Sequence, residues 1–167
     1  SPHISRMKLV QFWHVPRKVQ MIRLTNLADY AVVVMTAAAK SPERRLSAPE
    51  VALVTGIPVP TVAKLMGTLA RAGLLAASRG AGGGFQFCRP AGEVSIAAII
   101  EAVDGPIALT QCQHPSDGVA ASDCSIGSSC SVRGHWAPIN RAVRDALSAV
   151  TLADLIQPVV ARESVTA

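Results

Sequence analysis

Four of the five residues from Gly80 to Gly84 are glycine, and the run lies between two short apolar stretches, Leu74-Leu75-Ala76-Ala77-Ser78 and Phe85-Gln86-Phe87-Cys88. Glycine reaches positive φ without steric cost and lets the backbone approach another surface closely. The segment therefore reads as a tight turn, Arg79 to Gly84, joining two antiparallel strands. A nucleotide-binding loop would need a Lys-Ser/Thr pair after the glycines and a helix starting there, and neither follows. A hairpin placed directly after a helix, with a turn able to lie along a phosphate backbone, reads as the wing of a winged helix.

What precedes the hairpin argues against a merely loose glycine loop. From Thr25 to about Lys40, Leu24, Leu27, Ala31, Val34 and Met35 recur at helical spacing, and Ser41-Pro42 ends the pattern. Ser47-Ala48-Pro49-Glu50 is a capping box, in which the serine oxygen accepts first-turn amides while the glutamate reaches back. The helix it opens carries Val51, Ala52 and Val54 and stops at Gly56. After Gly56-Ile57-Pro58 a third helix is expected from about Val59 to Ala72, burying Val62, Leu65, Met66 and Leu69, with Gly73 ending it. Two helices joined by a short glycine turn, preceded by a third, is the helix-turn-helix plan. The fold class expected is mainly α, a winged helix-turn-helix with a small β-hairpin wing and a long C-terminal dimerisation helix.

Charge follows the same division. The net +5 of the chain splits into +8 over residues 1–84 and −3 over residues 85–167. A basic half joined to a mildly acidic one suits a nucleic-acid-facing module attached to something else. Only 4% of residues are aromatic while half are apolar, which favours helices packed by small side chains over a β-sandwich. No apolar run approaches a membrane span and no signal-peptide pattern is present, so a cytoplasmic location and no membrane partner are expected. The organisation read from the chain is an extension or disordered basic arm at 1–20, a DNA-binding domain at 21–90 and a connecting helix at 91–111. A cysteine loop at 112–130 and a dimerisation helix with a short terminal helix at 131–160 complete it. Met21 reads as the true start.

Past the wing, Ser95 caps a helix running through Val103 to Asp104-Gly105, and residues 106–135 form a long irregular stretch. Trp136 opens the last long helix, with Trp136, Ile139, Val143, Ala146, Leu147 and Val150 at helical spacing, and Thr151-Leu152-Ala153-Asp154 starts a final turn. The DNA-binding module offers nothing large enough to bury that apolar stripe, so pairing with a second copy is the economical solution.

Three of the four cysteines, Cys112, Cys124 and Cys130, fall within 19 residues of polar sequence. The spacing is neither the paired Cys-x-x-Cys of a zinc ribbon nor a ferredoxin run. Three thiolates in a flexible loop can wrap a polynuclear iron–sulfur cluster and leave one iron for a weaker ligand, which suits a sensor. A thiol redox switch without a cluster and a structural zinc site are the other chemistries these residues allow. Cys88, in the return strand, reads as a small packing residue. No nucleophile–base constellation is present, so the chain is not expected to be an enzyme.

From Met21 to about Gln157 the sequence resembles the Rrf2 family of winged-helix transcription regulators (the IscR-, NsrR- and RirA-like proteins). It is most similar to the subgroup that regulates SUF-operon iron–sulfur assembly. The resemblance rests on Arg23-Leu24-Thr25 with Asp29-Tyr30-Ala31, Arg79-Gly80 through Gly82-Gly83-Gly84-Phe85, Glu101-Ala102-Val103-Asp104, and the three cysteines followed by Trp136. It implies a homodimer on a double-stranded operator, a [2Fe-2S] or [4Fe-4S] cluster, and ligands Cys112, Cys124 and Cys130. The first cysteine gap is longer than in IscR-like members. Where those members carry a histidine ligand this chain has Arg133, which stays protonated and cannot coordinate. The fourth position therefore falls to Asp29, matching an aspartate that reaches in from the partner subunit in NsrR-like members, or to His135 or His114. For DNA, the resemblance and the helix-turn-helix plan together point to Thr61 and Lys64 in the major groove, Arg79 in the minor groove, and Gly80, Gly82 and Gly83 along the backbone. Pro60 and Ala63 replace polar residues of the relatives, which implies a different operator.

Overall fold

A computed structural model of the chain describes residues 24–80, 82–110 and 129–157. The expected arm at 1–20, Cys112, His114 and Cys124 lie outside the described residues. Thr25 takes extended backbone angles and its hydroxyl accepts from the Ala28 amide, and helix α1 runs Asn26–Ala39 behind that cap. Its buried face is Ala28, Ala31, Val34, Met35, Ala38 and Ala39. Leu24, expected on that face, is 47% exposed, because the extended residue between it and the helix turns it off the stripe.

The Ser47–Glu50 capping box is complete and starts α2, Ala48–Thr55, which Gly56 ends at φ 74°. Ala48, Val51 and Ala52 point inward. Val54, expected beside them, is 72% exposed. At 3.6 residues per turn it stands about a third of a turn from the centre of that stripe. Helix α3, Val59–Arg71, buries Val62, Leu65, Met66 and Leu69, as its periodicity requires. The axes of α2 and α3 turn through 118°, within the range of about 90–120° of helix-turn-helix pairs. Gly73, at φ 72°, lets the Leu74 amide reach back to the Leu69 carbonyl and closes α3.

Strands β1, Leu75–Ser78, and β2, Gly84–Phe87, pair antiparallel with Leu75 opposite Phe87 and Ser78 opposite Gly84. Both begin one residue away from the sequence expectation, and Cys88 falls past the end of β2. That cysteine is exposed, which corrects its reading as a packing residue. The hairpin is not alone. Leu46 exchanges both backbone hydrogen bonds with Phe85, each 2.9 Å, and so adds one residue of a third strand.

After a single 3-10 turn at Ala91–Glu93, Ser95 caps α4, Ile96–Asp104, which buries Ile96, Ala97, Ile99 and Ile100 against the module. Helix α5, Arg133–Ser148, starts three residues before the expected Trp136. It packs along α4. The Arg144 guanidinium grips both carboxylate oxygens of Glu101 on α4, at 2.7 and 3.2 Å. Helix α6, Leu152–Ile156, returns to α1 and sinks Leu152 completely. Ser95 and Thr151 form a backbone bridge, so the start of α4 and the end of α5 meet. No single helix among the described residues is long and apolar enough to cross a membrane.

Candidate nucleic-acid interface and cysteine segment

Helix α3 buries one side in the module and turns the other outward. Pro60, Ala63 and Lys64 are exposed and Thr61 is half-buried, on the surface opposite Val62, Leu65 and Leu69. Pro58 starts the helix without a side-chain cap, its carbonyl accepting from Thr61 and Val62 at 2.9 and 3.0 Å. The start of the helix is thus closed by backbone hydrogen bonds, with Lys64 exposed and Thr61 half-buried on its outer side.

The wing turn explains its glycines individually. Gly80 and Gly82 take φ 96° and 79°, a region that L side chains avoid. Gly83 has an ordinary φ, but a Cβ there would meet the Ser78 carbonyl oxygen at 2.6 Å and that of Gly80 at 2.8 Å. The Gly83 amide donates to the Gly80 carbonyl at 2.9 Å and closes the turn. Arg79 stands exposed at its entrance.

A residue that sequence reading passed over stands beside the wing. The Arg45 Nη1 donates to Ser78 Oγ at 2.8 Å, and the Gln86 amide donates to the Glu43 carbonyl at 3.3 Å. Arg44, its neighbour, instead forms an ion pair with Glu50. The pair Arg44-Arg45 before the capping box was the signal available. Nothing local distinguishes the two arginines, because the wing that separates them arrives more than 30 residues later.

Of the expected metal ligands, Asp29, Cys130 and His135 lie among the described residues. Asp29 is exposed in the first turn of α1. Cys130 is a free, half-buried thiol three residues ahead of α5, and His135 is exposed in the first turn of that helix. Thr25 donates to Asp104 Oδ2 at 2.6 Å, so the start of α1 adjoins the end of α4, from which the cysteine segment departs. On the other side, Asn140 of α5 is the one buried polar side chain among the described residues, and its Oδ1 accepts from the Leu109 amide at 2.9 Å. Among the described residues no three metal-ligating side chains converge; Cys112 and Cys124 lie outside them. The donor set of three cysteine thiols fits an iron–sulfur cluster by its chemistry, since thiolate sulfur is the ligand such clusters take.

Comparison with known proteins agrees with this geometry. Residues 24–158 match the Rrf2 family, described as an iron-dependent transcriptional regulator. An HTH-type transcriptional regulator of Neisseria meningitidis serogroup A is 32% identical over 139 residues, 81% of this chain and 88% of the relative. The HTH-type transcriptional regulator IscR of Serratia proteamaculans is 30% identical over 136 residues, 81% of this chain and 79% of the relative. Among solved structures, CymR, the global cysteine regulator of B. subtilis, superposes with a TM-score of 0.59 at 26% identity, over 81% of this chain and 97% of that one. The two relatives are named as HTH-type transcriptional regulators, and the family is one of transcriptional regulators rather than enzymes.

Proposed function

Because the chain belongs to the Rrf2 family of transcriptional regulators, we propose that it is an iron–sulfur cluster-sensing repressor. It acts as a homodimer on operators of cluster-assembly or iron-homeostasis genes. The observation that carries this reading is how the chain on either side of the three-cysteine segment is held. It leaves from the end of α4, which Thr25 ties to α1, and returns at Cys130 into α5, which Arg144 ties to α4. The similarity to regulators named IscR supports the same reading.

Cys112, Cys124 and Cys130 would hold the group, with the partner subunit's Asp29 at the fourth position and His135 as the competing donor. When bound, an iron–sulfur cluster supplies a centre whose integrity responds to oxidants and to iron supply. Asn140 holds the Leu109 amide ahead of the segment, and α5 begins three residues after Cys130. Thr61 and Lys64 face the major groove, while Arg79 with Gly80, Gly82 and Gly83 runs along the backbone and minor groove. Occupancy of the thiols changes DNA affinity to the extent that the thiols are arranged differently in the two states of the dimer. A second reading is supported by the likeness to Staphylococcus aureus CymR, whose structure is described in an oxidized form: the same cysteines work as a thiol–disulfide switch without a cluster.

Anaerobic reconstitution separates the two. The protein is expected to take up iron and acid-labile sulfide and to absorb in the visible, and Cys130→Ser to abolish both. A colourless protein whose DNA affinity nonetheless changes on thiol oxidation would establish the switch instead. Asp29→Ala is expected to make the cluster bleach faster in air; an unchanged spectrum and bleaching rate would move the fourth position to His135.

A further inference from the structure

We propose that Arg45 is a second phosphate-gripping arginine of the wing, held in position by Ser78 to clamp the DNA backbone beside the turn that Arg79 enters. The inference rests on DNA binding by the winged helix and is independent of what the cysteines hold.

Arg44 and Arg45 are adjacent and have opposite fates. Arg44 spends its charge on Glu50, the glutamate of the capping box. Arg45 donates one N–H to a neutral hydroxyl, Ser78 Oγ, and no carboxylate pairs with it among the described residues. A guanidinium has five donors and cannot lose its proton, so this contact fixes its direction and leaves the charge and most of its fork unspent.

The backbone on either side of Arg45 is stitched to β2. Leu46 pairs with Phe85 in both directions, and Gln86 holds the Glu43 carbonyl. Gly84 makes the close approach possible, since a Cβ there would meet the Leu46 carbonyl oxygen at 2.9 Å. Ser78 is the last residue of β1, paired with Gly84 at the mouth of the turn, and Arg79 follows it directly. Two exposed guanidinium groups from distant parts of the chain thus stand at the same end of one hairpin. Phosphate is the partner whose shape and charge suit them, because a planar fork can take two of its oxygens at once. An arginine already oriented by a hydroxyl loses less freedom when it binds.

Salt dependence of binding to a 40-base-pair mixed-sequence duplex, followed by fluorescence anisotropy, tests this. Each phosphate contact contributes about 0.9 to the slope of log K against log salt. Arg45→Gln keeps a donor for Ser78 and removes the charge. It is expected to shallow the slope by about 0.9 per subunit and to weaken binding several-fold at low salt. Arg45→Lys should hold the parent slope, and Arg44→Gln should leave it unchanged. The proposal is overturned if Arg45→Gln retains the parent slope. Equal losses from Arg44→Gln and Arg45→Gln would overturn it too, by showing a diffuse effect of net charge. Circular dichroism and melting of each variant exclude loss of fold as the cause, and a parent that binds no duplex at any salt overturns the DNA-binding premise itself.

Discussion

Gly83 shows how a single residue can be required for a reason other than its own dihedral angles. Its φ is one any residue adopts, yet a methyl group there would press into two backbone carbonyls that cannot move without opening the turn. Gly83→Ala is therefore expected to disturb the wing locally. DNA affinity should fall by about tenfold or more, the equivalent of roughly 1–3 kcal/mol of steric overpacking, while the far-UV spectrum stays that of the parent. Unchanged affinity would mean that the turn does not face DNA. The sequence pattern marked Gly80, Gly82 and Gly83 together, but it could not separate the two that need positive φ from the one that needs an empty Cβ. Arg45 was beyond its reach altogether, because the role depends on Ser78, which only the folded hairpin brings to it.

Elements are legible in proportion to the local chemistry of their ends. Ser47 with Glu50, Thr25 and Ser95 each satisfy orphan amides through a side chain, and helices begin where those residues stand. Helix α5 has no side-chain cap at Val132, so periodicity alone placed its start at Trp136, a turn too late. Its union with α4 is partly electrostatic. The Arg144 guanidinium holds the Glu101 carboxyl below the usual carboxylate range, against the opposing effect of burial. A carboxylate depressed in this way contributes stability above its unfolded value of 4.5, and the contribution is lost as the pH falls through the lower native value. Docking of α5 is expected to weaken below about pH 4.5. Near-UV dichroism of Trp136, in a Trp13→Phe background, should report it. Glu101→Gln should remove that pH-dependent component, whereas Glu50→Gln, which alters the α2 cap and the ion pair with Arg44, should not. An identical acid profile in the parent and Glu101→Gln would show that the ion pair contributes nothing to docking.

At the scale of the whole molecule, the core joins α1, α2, α3, β1 and α4 with Val94 and Leu152, while α5 stays largely outside it. Ile139 on α5 is 43% exposed and Ala146, seven residues on, is exposed as well, so one face of the helix is apolar and uncovered. A second copy covering that face would also present two recognition helices to two half-sites. Ile139→Asp combined with Ala146→Glu is expected to give monomers by light scattering and to lower operator affinity sharply without unfolding the winged helix. A double variant that remains dimeric would place the subunit contact elsewhere. The bridge between Ser95 and Thr151 closes a long stretch of chain on itself. The start of α4 and the end of α5 meet at one seam, α4 staying packed on the core and α5 lying against α4. A change in the number of residues between α4 and α5 is therefore expected to leave the seam in place. The fold thus fastens both ends of this stretch of chain to the helix-turn-helix half, whose shape does not depend on the sequence between α4 and α5.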